Sequence, residues 1–462
     1  MTVAADALLS ADALVSVEDA RAAILAAVPG PVGEESVAVG HALGRALARP
    51  VVAAVTLPPW DNSAMDGYAI VAADVALASE DAPLRLEVTG EVPAGGVADL
   101  AVSHGSAIRI ATGAPLPAGA DAVVPVEQTT PVDVLGAPGA RGRDAAGPVP
   151  AAILVHAAVP AGAHVRRRAS DLSAGDEILA TGIGITPAAV ALAAGSGIAT
   201  VSVRRRVRVA VLATGNEVRP AGVDLGPAGI PDANGPGLRA LVEAAGAEAL
   251  DLGIAPDELD DVVARLRSAL SQGADAIVVA GGVSVGPYDV VKLAFEAIGE
   301  IGLWRVAVQP GKPFAFGTAA RPDPGVRTDA EPGGGRTLLF GLPGNPVSSF
   351  VTFELFVRPA IRAMSGRRDL LRPVDRAVLL DEARTAAGRR AFLRVTAERD
   401  SDGAPARDTQ GRVKVRLSRG PGGQGSHVLS ALAAADALAV VPEAINTHQA
   451  GDPVELWWLD PA

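Results

Sequence analysis

Cysteine is absent from the 462 residues. That excludes a disulfide framework, a thiolate metal site and a cysteine nucleophile. If this chain handles a soft metal, the sulfur ligands must come from a cofactor. Lysine is almost absent too, with only Lys292, Lys312 and Lys414, so arginine carries nearly all the positive charge. Arginine's planar fork suits phosphate and oxyanion recognition, although the 52 glycines and 36 prolines point to a GC-rich coding bias as the main cause. The six histidines (His41, His104, His156, His164, His427 and His448) have no zinc-ligand spacing, which speaks against a zinc enzyme. No apolar run reaches the ~18 residues of a membrane span. The N-terminus carries Asp6 and Asp12 and no basic segment, unlike a secretory signal. A cytoplasmic protein without a membrane or nucleic-acid partner is expected: 40 basic residues stand against 52 acidic ones, a net charge of −12.

The hydrophobic fraction of 49% is ample for packed cores, and the length suggests about two to four domains. Residues 16–48 read as helical, with Ala20, Ile24 and Val28 on one face and a second short helix near 41–48. From Leu57-Pro58-Pro59 to about 150 the chain turns to short β-prone runs at 84–89, 107–111 and 122–126, and 131–150 reads as a loop or small insertion. A helical run at 187–195 follows. Then strand-like runs at 207–213, 276–280 and 337–341 alternate with amphipathic helices at 237–245, 257–270, 288–298 and 347–364. That alternation implies βα units and a doubly wound, parallel-type sheet. Residues 321–335 read as a mobile loop, and the chain past Arg372 is β-prone again, at 377–380, 391–396, 413–417, 437–441 and 454–459. The expected fold is multi-domain α/β, in four units: a helical N-terminal piece (1–57 and 148–203), a β-rich insertion (58–147), an α/β core (204–370) and a C-terminal β domain (371–462).

Ligands of open α/β sheets bind where strand ends lead into helices. Three such turns occur here, each suited to an anion, and two of them carry extra donors. Gly281, Gly282 and Ser284 lie in Gly-Gly-Val-Ser-Val-Gly, and Gly344 and Asn345 in Leu-Pro-Gly-Asn-Pro. Neither is a Walker loop nor a dinucleotide fingerprint. Glu217, Asp257 and Asp289 fall beside these turns, and acids at an anion site call for a hard cation between them, Mg²⁺ being the usual one. Asp257 also reads as a helix N-cap, and Asp289 as a complement to a helix dipole. Arg204-Arg205-Arg206 with Arg208 reads as a solvated face. Arg166-Arg167-Arg168, followed by Asp171, is a candidate oxyanion contact, as is Lys312 in Pro-Gly-Lys-Pro.

Six strings occur in order: PWDNSAMDGYA (59–69), RIATGAP (109–115), TGNE (214–217), GGVSVG (281–286), PGKP (310–313) and LPGNP (342–346). Together they closely resemble the MoeA family of molybdopterin molybdenumtransferases, related to the C-terminal domain of gephyrin. The resemblance implies an elongated homodimer of four-domain subunits around a molybdopterin-binding-like α/β domain. It also implies an activity, the Mg²⁺-dependent conversion of adenylylated molybdopterin and molybdate to molybdenum cofactor and AMP. By motif match, Asp66, Glu217, Asp257 and Asp289 would be the functional carboxylates, the last three around the metal. Thr112, Arg168, Asp171, Ser284, Arg305, Lys312, Asn345 and Ser426 would contact ligand. The partner subunit's β-rich insertion would complete the site, and a molybdopterin adenylyltransferase is a candidate partner. Arg305 and Gln309 stand where relatives often carry lysines, and Asn216 where an aspartate is common. Alternative readings are a gephyrin-like scaffold and an adenylyltransferase.

Overall fold

The computed structural model describes residues 14–142, 147–282, 290–321, 335–418, 420 and 423–459. Ser284 and Asp289, and most of the expected loop at 321–335, lie outside them.

The centre is a six-stranded sheet. Its strands are β1 (Arg208–Thr214), β2 (Glu248–Ala255), β3 (Ala276–Ala280), β4 (Gly299–Arg305), β5 (Pro313–Ala320) and β6 (Arg336–Leu342), in the order β2-β1-β3-β6-β5-β4. Residues along each strand alternate between two cores. Val209 and Val211 face helix α1 (Asn234–Ala244) and the segment 346–364. Ala210 and Leu212 face α2 (Leu259–Ser271) and α3 (Val290–Glu296). Helices therefore cover both faces, as the alternation of strands and helices implied. The sheet is not wholly parallel, however. β2, β1, β3 and β6 run parallel, while β5 is antiparallel to β6 and β4 to β5. The β4–β5 connection is a short return through Pro310–Pro313, with no crossover helix to reverse the chain.

The helix expected at 347–364 is one continuous rod with a defect. Its first part, α4 (Pro346–Thr352), passes through a π-turn (Phe353–Val357) into α5 (Arg358–Met364). Pro359 has no N–H to give and crowds the carbonyl four residues back, and a widened turn relieves both.

At the N-terminus, Ser16 caps the helix Val17–Ala27, which buries Val17, Ala20 and Ile24 against the central sheet. A second helix near 41–48 is not formed. A single 3-10 turn (Val39–His41) leads to Gly44 at φ +76, beyond which the backbone bonds to residues 182–185 and 202. The β-rich run folds into a second six-stranded sheet, with Gly67–Ile70 between Ala122–Pro125 and Ser106–Ile110. Past Arg372, the strands Val374–Leu379, Arg390–Ala397, Val413–Leu417, Ala437–Val441 and Pro453–Trp458 pair in a closed ring that leaves no free edge. Val308–Gln309 pairs with Arg390–Ala391, joining the chain just after β4 to this ring.

The basic run at 204–208 is not a solvated face. Arg205 makes two 2.7 Å bonds to Asp275, which is 4% exposed, and Arg321 and the Arg208 N–H bond the same carboxylate at 2.7 and 2.9 Å. Arg204 donates to the Val32 carbonyl. These arginines hold the base of the sheet together.

Candidate functional site

The parallel strands β2, β1, β3 and β6 deliver four turns to one edge. Thr214 Oγ1 reaches the Ala280 carbonyl (3.4 Å), Gly281 N–H bonds Leu342 O and Gly215 N–H bonds Ala255 O. Gly281 sits at φ +103 with room for no side chain, since a Cβ would lie 2.5 Å from Thr214 O. Asn234 Nδ2 donates to Gly344 O at 2.7 Å, tying the start of α1 to the turn after β6. Between these turns lies a cleft of about 850 Å³ lined by Glu217, Asp232, Asp257, Gly281, Gly282, Gly344, Asn345 and His427.

Asp257 does not cap its helix. The cap position of α2 is Glu258, with no side-chain cap bond. Asp257 instead accepts from Asn216 N–H while its own N–H donates to Asn216 Oδ1, both at 3.2 Å. The helix thus leaves the carboxylate to the cleft. Glu217 is exposed, and its carboxylate makes no hydrogen bond or ion pair among the described residues. Asp232 is partly occupied, because it accepts from the Gly235 N–H at the start of α1.

A second cleft, of about 540 Å³, opens where the closed β ring meets the central domain. Gln309, Lys312, Asn345, Arg389, Arg394 and Ser426 are among its lining residues. Arg394 is 1% exposed and has no carboxylate partner among the described residues. Its Nη2 donates to Gly425 O (3.1 Å), its Nε is unpartnered, and burial pulls its guanidinium down to about 10. A buried, incompletely bonded cation is costly to keep unless an anion joins it. Lys312 is exposed and unpaired among the described residues. Gln309 Oε1 accepts from Ala386 N–H at 2.7 Å, so this uncharged side chain spans the joint and leaves its NH₂ group as a donor. The charges are segregated, with carboxylates around the first cleft and mainly cations around the second, and Asn345 lines both.

The remaining candidates lie elsewhere. Thr112 donates from both N–H (2.7 Å) and Oγ1 (2.9 Å) to Asp66 Oδ1 within the β-rich insertion. Asp61 accepts from Arg168 N–H and from the Arg167 guanidinium, both at 2.7 Å, and these bonds hold its carboxyl below the usual range. Arg167 is therefore committed. The Arg168 guanidinium is exposed, with no partner among the described residues, and Asp171 anchors nearby through its N–H to Leu57 O. Arg305 lies on β4 opposite Pro313 and lines neither cleft.

Residue-by-residue reading passed over Asp232, Arg394 and His427 in these clefts. For Arg394 the sequence holds one cue, a single arginine inside the apolar run Ala391–Thr396.

No group of three or more His, Asp or Glu side chains is arranged to hold a metal among the described residues. The donors present are hard carboxylate oxygens, and Glu217 is unengaged. That set fits Mg²⁺, which is commonly held by one or two carboxylates together with substrate phosphate and water.

Residues 15–197 match the MoeA N-terminal region (domain I and II), 210–363 a probable molybdopterin binding domain, and 376–459 the MoeA C-terminal region (domain IV). Molybdopterin molybdenumtransferase 2 of Mycobacterium tuberculosis is 36% identical over 431 residues, 92% of this chain and 95% of the relative. The molybdopterin molybdenumtransferase of Haemophilus influenzae is 32% identical, over 96% and 98%. Two crystal structures of the molybdopterin biosynthesis MoeA protein of Pyrococcus horikoshii superpose with TM-scores of 0.75 and 0.72, at 27% and 28% identity. They cover 96% and 97% of this chain and 100% of each relative. With three consecutive regions matched in order and relatives aligned along nearly the whole chain, this protein belongs to the MoeA family of molybdopterin molybdenumtransferases.

Proposed function

We propose that this chain inserts molybdenum into molybdopterin, converting adenylylated molybdopterin and molybdate to molybdenum cofactor and AMP. The observation that carries this reading is the adjacency of two clefts of opposite character. One is lined by carboxylates and glycine turns. The other holds a buried arginine with no carboxylate partner among the described residues, and Asn345 joins them. Phosphate groups carried on a divalent cation suit the first, and a tetrahedral oxyanion the second. Glu217, Asp257 and Asp289 would hold Mg²⁺, which supplies charge neutralisation at the phosphoanhydride. The glycine turns let the ligand approach the backbone closely, and Asn345 orients groups at the junction. Lys312, Arg394 and Ser426 grip the oxyanion. Sulfur for molybdenum comes from the dithiolene of the pterin, because the chain has no cysteine.

Replacing Arg394 by methionine removes a charged hydrogen-bonding group worth about 1.5–3 kcal/mol. Molybdate affinity, read by calorimetry, should fall ~10- to 100-fold. Unchanged affinity would move the oxyanion out of the second cleft.

The Asp66–Thr112 pair lines neither cleft of its own subunit, which supports a homodimer in which each β-rich insertion completes the site of its partner. Co-expression of Asp66→Ala with Glu217→Ala tests this. Mixed dimers carry one intact site, so activity should return to about a quarter of wild type from two inactive parents. Absence of recovery would place all the catalytic groups on one subunit.

A further inference from the structure

The family reaction leaves a proton account that neither the carboxylates nor the cations so far described close. Taking up molybdate through a dithiol breaks two S–H bonds, forms two Mo–S bonds and removes one oxygen from molybdenum. The departing oxygen leaves as water with both thiol protons, the total charge is unchanged and molybdenum keeps its oxidation state. The thiols belong to the ligand proposed for the first cleft and the departing oxygen to the ligand proposed for the second. A group at their junction must therefore move protons from one to the other.

Resting on that reading of the two clefts, we propose that His427 is a further catalytic residue, a general base toward the dithiol and a general acid toward the leaving oxygen. Its placement supports this. His427 lines the first cleft and the preceding residue, Ser426, lines the second, so one stretch of chain forms part of both walls. The stretch is held in place from both sides: Ser426 O accepts from Val347 N–H in α4, and Leu429 N–H returns to His427 O. The imidazole packs on Gly425, where an added Cβ would lie 2.9 Å from the ring. His427 is exposed, and its ring nitrogens have no partner among the described residues, so both are open to a substrate.

The ionisable company is also suitable. The first cleft presents Glu217, Asp232 and Asp257, and the second Lys312, Glu382, Arg384, Arg389 and Arg394. As side-chain types, carboxylates serve mainly as acceptors, and ammonium and guanidinium groups only as donors. Histidine is the side chain whose ordinary titration lies where a proton can be both taken and returned.

The test is a single-turnover reaction of His427→Gln and His427→Ala from about pH 5.5 to 8, with metal-loaded pterin quantified and molybdate affinity measured by calorimetry. Metal loading should slow ~10²-fold in both variants, its pH dependence should flatten, and added imidazole should partly restore His427→Ala. Molybdate affinity and the unfolding midpoint should stay at wild-type values. A His427→Gln enzyme that keeps the wild-type rate and pH profile overturns the proposal. So does one that loses rate and molybdate affinity together, which would make His427 a prop of the partition. A wild-type enzyme that loads no metal would instead refute the functional reading beneath it.

Discussion

Glu217→Gln should lower the rate of molybdenum transfer by about 10²–10³-fold, the scale found when one preorganised electrostatic group is removed from a reaction centre. The side chain lines the carboxylate cleft, is exposed and bonds to nothing else among the described residues. Its loss should therefore leave the unfolding midpoint within the ~0.5 kcal/mol scatter of surface changes. The replacement keeps the shape and removes the charge that would hold the cation. Raising Mg²⁺ should recover part of the rate, because weakened binding responds to concentration by mass action. Asp257→Asn should act in the same direction, since an amide oxygen can still accept from Asn216 N–H and keep the turn in place. Wild-type rates in both variants would remove the carboxylates from the chemistry.

The largest effect on stability is expected at Asp275. Its carboxylate is 4% exposed and joins Arg205, Arg321 and the Arg208 N–H. Replacement by alanine takes from the partly exposed Arg205 and Arg321 the carboxylate they share, and losing hydrogen bonds to a charged group costs about 1.5–3 kcal/mol. Urea unfolding should report the loss, with the slope unchanged. Burial by itself would raise the Asp275 carboxyl. The Arg205 bond, the Arg208 N–H and Arg321 outweigh it and hold the group below its ordinary value. A depressed carboxyl stabilises the fold above the unfolded-state value, about 3.9, and loses that contribution as pH falls through the folded-state value. Wild type should therefore weaken progressively below about pH 4 more than Asp275→Ala does. Equal acid sensitivity would show that the carboxylate contributes no net stability.

Local patterns stood out in the sequence where a segment answers to its own chemistry. The continuous apolar runs at Ala276–Ala280 and Ala437–Val441 and the alternating run Val413–Leu417 form strands with those bounds, and the helix Pro187–Gly195 follows its capping threonine and N1 proline. The glycine turns also stood out, because a chain needing positive φ between a strand and a helix has few residues to choose from. What escaped depends on partners far along the chain. β4 and β5 contain glycines, with β5 opening on Pro313, and their antiparallel pairing is set by register with β6, which no helix alternation encodes. Arg205 looked like a solvent-facing charge because its acid lies 70 residues on. Asp257 looked like a cap because the competing partner, Asn216, belongs to another strand's turn. Arg394 lay hidden for the same reason, in that only the fold shows a buried cation with no carboxylate partner among the described residues.

One measurement bears most directly on the central claim. Purified protein would receive adenylylated molybdopterin and Mg²⁺ in a single turnover, with and without molybdate, while AMP and metal-loaded pterin are followed together. The two-cleft account predicts that AMP release depends on molybdate and tracks metal loading one for one. AMP release at the same rate without molybdate, or an intact adenylylated ligand in its presence, would contradict it.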